Sequence, residues 1–308
     1  MKELIIATRK SALALWQSEY VKKLIEQKHG IKVSLQGFKT KGDVLLDSPL
    51  AKIGGKGLFT KELQQSMLRN ETHLAVHSLK DVPSFFPKGL KLVAVTKRED
   101  VRDSFLSMKY KSLQDLPKGA RVGTTSLRRK MQLLLLRKDL NVISLRGNVN
   151  SRLAKLKNDD FDAIILAKAG LSRLGLEKEL NYISEFSLDE MIPAASQGAL
   201  GVECVENLEL ERLLSFLNDE KTYIETFIER EFIKNLEGGC QVPIGINACL
   251  KDEKIKIKAI LGLPDASEFL KEELEISKNE YEKAGLKLAQ SMIAKGAKEL
   301  LKRALQMA

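Results

Sequence analysis

The stretch ELIIATRKSALALWQSEYVKKL (residues 3–24) decides the reading of the fold. Its opening ELIIAT is an apolar run of strand length, and Leu13, Trp16, Tyr20 and Leu24 then recur at three- and four-residue spacing, so a strand runs directly into a helix that begins near Ser11. Further short strands follow at VSLQGF (33–38), THLAVHS (72–78) and LKLVAVT (90–96), an α/β pattern through residue 95. It is punctuated by KGDVLLDSPLAKIGGKGLFTK (41–61), rich in glycine and lysine, which reads as a mobile loop. A second α/β unit starts near Asp103, with strands ARVGTT (120–125), NVISLRG (141–147) and DAIILAKAG (162–170) and helices near Ser126–Arg137 and Val149–Lys157. It echoes the first: Ala7-Thr8-Arg9-Lys10-Ser11 and Thr124-Thr125-Ser126-Leu127-Arg128 both close a strand and open a helix. Two similar domains facing each other are expected, with ligand groups at strand C-termini and helix N-termini. From about Asp219 a charged helix runs to Asn235, the loop LEGGCQVPIG (236–245) follows, and IGINACL (244–250), EKIKIKAILGL (253–263) and a final helix over Asn279–Leu305 complete a small α+β domain.

Charge is unevenly spread along the 308 residues. The formal net charge is +10, yet between Arg121 and Lys157 ten basic residues, six of them arginine, meet a single acid, Asp139. That focus points to a polyanionic ligand gripped by planar guanidinium forks, either nucleic acid, phosphates or several carboxylates. An aromatic content of 6% and the lack of a finger, RNP-like or basic-zipper motif argue against nucleic acid. Arg9 and Lys10 interrupt the start too early for a signal peptide, and the longest apolar runs fall far below the ~20 residues that span a bilayer. A cytoplasmic protein without membrane attachment is expected. Cys204, Cys240 and Cys249 form no CxxC pair and no zinc-like cluster with His29, His73 and His77, so free thiols and no metal are expected.

Several positions could carry chemistry. Gly238-Gly239-Cys240-Gln241-Val242-Pro243 presents a thiol on a tight loop, although the residues alone favour an inert packed cysteine. Asp81, after His77-Ser78-Leu79-Lys80 and before Val82-Pro83, reads first as a turn cap and otherwise as a carboxylate for proton transfer. Thr124 to Arg129 places hydroxyls, amides and two arginines at a helix N-terminus, and Arg146-Gly147-Asn148 with Arg152 repeats the theme; here an anion site is the better reading. Lys52 to Gly57 lacks the glycine spacing and the Lys-Ser/Thr ending of a phosphate loop. A two-lobed receptor for an anionic solute would share this layout.

Together, IATRKSALALWQ (6–17), TKGD (40–43), LAKIGGKGLFTKEL (50–63), AVHSLKDVP (75–83), VGTTSLRR (122–129), SLRGNVNSRL (144–153), DAIILAKAGLSRLGL (162–176), SQGALGVEC (196–204) and LEGGCQVPIG (236–245) resemble, in the same order, the porphobilinogen deaminase (hydroxymethylbilane synthase) family. Ala12, Leu79 and Asn150-Ser151 depart from its usual pattern without removing a charged or nucleophilic group. The resemblance implies a transferase of tetrapyrrole and haem biosynthesis that joins four porphobilinogen molecules head to tail with loss of ammonia and releases hydroxymethylbilane by hydrolysis. It implies a dipyrromethane cofactor attached by a thioether to Cys240, its carboxylates held by Ser78, Lys80, Thr124, Ser126, Arg128, Arg129 and Arg146. Arg9, Ser11, Arg146, Arg152 and Arg173 would hold the incoming ring and the growing chain, Asp81 would be catalytic, and Lys52, Lys56 and Phe59 would belong to a lid. The implied architecture is two α/β domains resembling type II periplasmic binding proteins (1–97 with 198–217, and 98–197) and a smaller α+β domain (218–308) carrying Cys240, in a monomer.

Overall fold

The structure, a computed structural model, describes residues 3–44, 57–237 and 242–307. It comprises two compact units: the described chain up to Glu99 with Ala199–Ile224, and Asp100–Gly198 with the chain from Glu225 onward. No described helix is long and apolar enough to cross a membrane.

The first unit is built on a five-stranded sheet in the order β2 (Lys32–Phe38), β1 (Glu3–Arg9), β3 (Leu74–Ser78), β10 (Leu200–Val205) and β4 (Leu90–Val95). β1 is parallel to β2 and β3, whereas β10 runs antiparallel to β3 and β4 and leads on to helix α7 (Leu208–Leu214). Helix α1 (Ala12–His29) starts at Ser11, whose hydroxyl accepts from the Ala14 amide, and stops at Gly30, where φ of 64° carries no Cβ penalty. The stripe turned inward is Ala14, Gln17, Ser18, Val21 and Ile25. Small residues let the helix approach Leu4, Ile6, Leu74 and Val76 closely, while Trp16 and Tyr20 stack on each other towards the helix flank with ring centroids 5.5 Å apart. Leu63 and Met67 of helix α3 (Lys61–Leu68) cover the opposite face of the sheet, over Ala7, Ala75 and Leu90.

The second unit repeats the plan with β7 (Asn141–Ile143), β6 (Arg121–Gly123), β8 (Ala163–Ala167), β5 (Asp103–Ser107) and β9 (Tyr182–Glu185). β6 is parallel to its neighbours and β5 antiparallel to both of its own. Alternation sends Phe105, Val122 and Ile165 to one face, where helix α4 (Leu127–Leu136) contributes Leu133. Leu106, Ile164 and Leu166 go to the other, against helices α5 (Val149–Lys157) and α6 (Lys168–Leu174).

A separate antiparallel sheet of β11 (Ile244–Lys251), β12 (Lys254–Gly262) and β13 (Phe269–Ser277) belongs to the same unit, joined to it through Met131, Ile192 and Ile260. The long C-terminal helix of the sequence reading is in fact two, α9 (Tyr281–Ala294) and α10 (Ala297–Gln306), broken where Gly296 takes φ of 94°. Helix α8 (Glu220–Asn235) lies along the edge strand β11. The Leu250 amide donates to Glu225 at 2.9 Å and the Ala248 amide to Glu229 at 2.8 Å, while the other Glu229 oxygen accepts from the Ser196 amide at 2.6 Å. Carboxylates thus replace a missing neighbouring strand.

Candidate active site

Parallel pairing of β1 and β3 brings the C-terminal ends of both strands to one edge of the first sheet. Arg9 closes β1 and Ser11 caps the helix after it. Ser78 closes β3, its hydroxyl accepting from Gln17 Nε2 at 2.8 Å, and Lys80 and Asp81 follow in one tight helical turn. Asp81 is exposed and makes no hydrogen bond or ion pair with the described residues, so its side chain does not serve as the cap that its position suggested.

Arg9 is held from two sides. Its Nε donates to Asp43 Oδ2 at 3.3 Å and its Nη2 donates to Oδ1, a bidentate grip along one edge of the guanidinium. The Phe59 ring lies against the same group, with the guanidinium carbon 4.3 Å from the ring centroid. Asp43 sits in the short helix α2 (Lys41–Val44), where the Thr40 amide and hydroxyl donate to it at 3.1 and 2.7 Å. Burial alone would raise its pKa; the hydrogen bonds from Arg9 and Thr40 and the charge of Arg9 prevail and hold it below the usual aspartate value. The Gly42 amide donates to the Leu58 carbonyl at 3.0 Å, and a Cβ at Gly42 would overlap the Phe59 ring. Behind β3, buried His77 bonds Glu203 at 3.1 Å, and Gln64 donates to the other Glu203 oxygen at 2.8 Å.

In the second unit Thr124, Ser126, Arg128 and Arg129 are gathered at the start of α4. The Ser126 hydroxyl caps the helix, and the Thr125 hydroxyl bonds the Leu145 carbonyl, tying this turn to the loop that carries Arg146. Gly147 holds that loop at φ of 116°, with Ser151 where a Cβ would be. Arg128 and Arg129 are only 4% and 6% exposed. Both converge on Asp103, which is 0% exposed: Arg128 Nη1 donates to it at 2.7 Å, Arg129 Nε and Nη2 at 3.0 and 2.7 Å, and Gln197 Nε2 at 3.0 Å. Ile192 and Ile165 carbonyls accept further bonds from Arg128 and Arg129.

One carboxylate therefore serves two buried guanidiniums at a helix N-terminus that already carries partial positive charge. Burial pushes the Arg128 pKa down even with Asp103 beside it. Such a cluster is short of negative charge by about one unit, and leaving a charge uncompensated in a protein interior costs several kcal/mol. An anionic ligand is the chemical complement of this cluster. By contrast, Arg121, Arg137 and Lys157 pair with Asp162, Asp139 and Glu179, so part of the positive excess of residues 121–157 is neutralised structurally. Arg146 and Arg152 are half-buried, and buried Arg173 donates to the Gly198 carbonyl at 2.7 Å.

Cys240, Lys52 and Lys56 lie outside the described residues. Of the other cysteines, Cys249 is exposed on β11, while Cys204 is enclosed in the first unit's core, where burial pushes its thiol up to about 12. A thiol so far from ionising is a poor nucleophile. The sequence reading assigned no role to Asp43, Asp103, Gln197, His77 or Glu203. Their signal was weak: TKGD, AVHSLKDVP and SQGALGVEC were recognisable as motifs, but nothing local marks which arginine each acid meets.

The family model for the porphobilinogen deaminase, dipyromethane cofactor binding domain matches residues 4–211, and that for the porphobilinogen deaminase C-terminal domain matches residues 223–294. The chain is 69% identical over 303 residues to the porphobilinogen deaminase of Campylobacter lari, covering 98% of each, and 68% identical over 302 residues to that of Campylobacter jejuni, with the same coverage. To that of Campylobacter hominis it is 63% identical over 308 residues, covering both completely. Among solved structures, a methionine-binding protein aligns with 72% of this chain and 92% of its own at 14% identity and a TM-score of 0.46. A periplasmic binding protein of Salmonella typhimurium aligns with 72% and 94% at 12% identity and a TM-score of 0.40.

Proposed function

The chain belongs to the porphobilinogen deaminase family, and from that premise we propose that it joins four porphobilinogen molecules head to tail with loss of ammonia, on a covalently held dipyrromethane, and frees hydroxymethylbilane by hydrolysis. The observation that carries this reading is the charge imbalance at Asp103, Arg128 and Arg129. A pyrrole ring bearing acetate and propionate supplies the negative charge this cluster lacks, so the residues present fit the cofactor. When bound, the dipyrromethane supplies the free ring carbon from which the chain grows.

The protein's own part is positioning and proton handling. Arg128, Arg129, Thr124, Ser126 and Arg146 would hold cofactor carboxylates in the second unit, and Ser78 and Lys80 have the same assignment in the first. Arg9, Ser11, Arg146, Arg152 and Arg173 would receive the carboxylates of the incoming ring and the growing chain. Asp81, exposed and without a described partner, is available to give a proton to the departing amine, to stabilise the cation left on the substrate carbon, and to take up the proton lost after carbon–carbon bond formation. Cys240 is assigned the thioether because it stands in LEGGCQVPIG (236–245), the stretch that resembles the family's attachment loop; Cys204 is shut in a core and Cys249 falls outside that stretch. Lys52, Lys56 and Phe59 are assigned to a lid, and the domains to residues 1–97 with 198–217, 98–197 and 218–308.

The reading includes a monomeric cytoplasmic enzyme that engages neither nucleic acid nor membrane; light scattering of the purified protein tests its size. Intact-mass measurement tests the chemistry. The protein as purified should carry a two-ring adduct mapping to Cys240, and added porphobilinogen should extend it in one-ring steps. A bare polypeptide mass that stays unchanged with porphobilinogen refutes the proposal.

A further inference from the structure

We propose that Asp43 is a positioning residue for substrate: it fixes the Arg9 guanidinium along one edge so that the other edge is presented to a substrate carboxylate. A guanidinium has two edges able to make paired hydrogen bonds, one from Nε and Nη2 and one from Nη1 and Nη2. Asp43 occupies the first, and among the described residues nothing bonds Nη1. Phe59 fixes the plane of the group by stacking on it, which leaves rotation within that plane to be stopped by Asp43. Asp43 is itself braced by the two bonds from Thr40, and Phe59 by its seat on Gly42.

The chain therefore spends a carboxylate, a hydroxyl, an aromatic ring and a glycine on orienting one arginine. A structural ion pair needs no such set, because a surface Arg–Asp pair is tolerant of geometry and contributes little. A receptor for a planar carboxylate does need it, because a freely turning arginine loses rotamer entropy on binding that a braced one has already lost. Asp43 balances the Arg9 charge in this arrangement, but the hydrogen-bonding capacity of the free edge remains for a second carboxylate.

The inference rests on the assignment of Arg9 to the substrate, and the test separates the two. KM and kcat for porphobilinogen are measured on holoenzyme whose adduct is verified by intact mass, for Asp43→Asn, Arg9→Met and the double variant. Asp43→Asn is expected to raise KM about tenfold, the scale of one charge-assisted bond, with a smaller change in kcat and full cofactor loading. In the Arg9→Met background the same substitution should change KM by less than about twofold, since residues that act through one another are not additive. Phe59→Leu, which keeps apolar bulk over Gly42 but loses the stack, should raise KM in the same direction and gives a second route should Asp43→Asn fold poorly. Equal effects of Asp43→Asn with and without Arg9 overturn the proposal, as does a wild-type KM in Asp43→Asn when Arg9→Met raises it. A wild-type KM in Arg9→Met overturns the assignment of Arg9 and this inference with it.

Discussion

Replacing Asp103 by asparagine keeps the shape of the side chain and removes the only carboxylate that faces Arg128 and Arg129 among the described residues. An amide oxygen can still accept one or two bonds, but its nitrogen would point a donor at a guanidinium. Breaking a buried ion pair from one side costs about 3–5 kcal/mol, because the partner charge stays behind. Two pairs are broken here, but they share the carboxylate, so their costs do not simply double. A loss of about 3–5 kcal/mol is a large part of the ~5–15 kcal/mol that holds most folds together. At about 2–4 °C per kcal/mol for a unit of this size, the second unit should melt roughly 10 °C earlier. Differential scanning calorimetry reads that shift directly, and intact mass reads the cofactor content of the same sample. A fall in Tm under ~2 °C with full cofactor loading would refute the claim that Asp103 neutralises and orients the arginine pair.

Other expectations follow from single residues. Asp81→Asn should retain the adduct yet lose turnover by about 10²–10⁴, the usual scale of general acid–base assistance; near-normal steady-state rates would leave Asp81 without its role. Iodoacetamide at pH 8 should label Cys249 and leave Cys204 untouched in the native protein, since a thiol pushed up to about 12 is un-ionised there; peptide mapping checks the pattern. Because folding lowers the pKa of Asp43, its contribution to stability is complete above the ordinary aspartate value and fades as pH falls through the lowered one. The Tm difference between wild type and Asp43→Asn should accordingly persist at neutral pH and close only in acid below that ordinary value. Arg128→Leu should hinder cofactor assembly, and fully loaded protein from that variant would contradict the role given to Arg128.

The sheet architecture was legible because parallel strands covered on both faces must be apolar runs, as in Leu4 to Ala7 and Ala163 to Leu166, and each ran into a recognisable helix start. The strands that escaped notice lack that signal. β5 buries Asp103, Ser104 and Ser107 and so reads as polar, and β13 carries Lys271, Glu273 and Glu275 at alternate positions because one face meets solvent. The inward face of α1 was not legible in hydrophobicity alone, because Trp16 and Tyr20 outweigh Ala14 and Ser18, while close packing on a sheet favours the small residues. At the site, clustering of arginines was visible in composition, but their partners were not. Asp103 stands 25 residues from Arg128, and Asp43 34 from Arg9, distances over which only the fold decides who meets whom.

The two glutamates of α8 have a consequence for how this protein behaves in a crowd. An edge strand with unoccupied amides invites a strand from another molecule, the first step towards aggregation. On β11 the amides of Ala248 and Leu250 already donate to Glu229 and Glu225, so an incoming chain would find neither available. The same Glu229 also fastens the Ser196 amide, so one side chain both blocks intermolecular strand pairing and pins a connecting segment. In this chain Glu229 thereby serves solubility as well as shape.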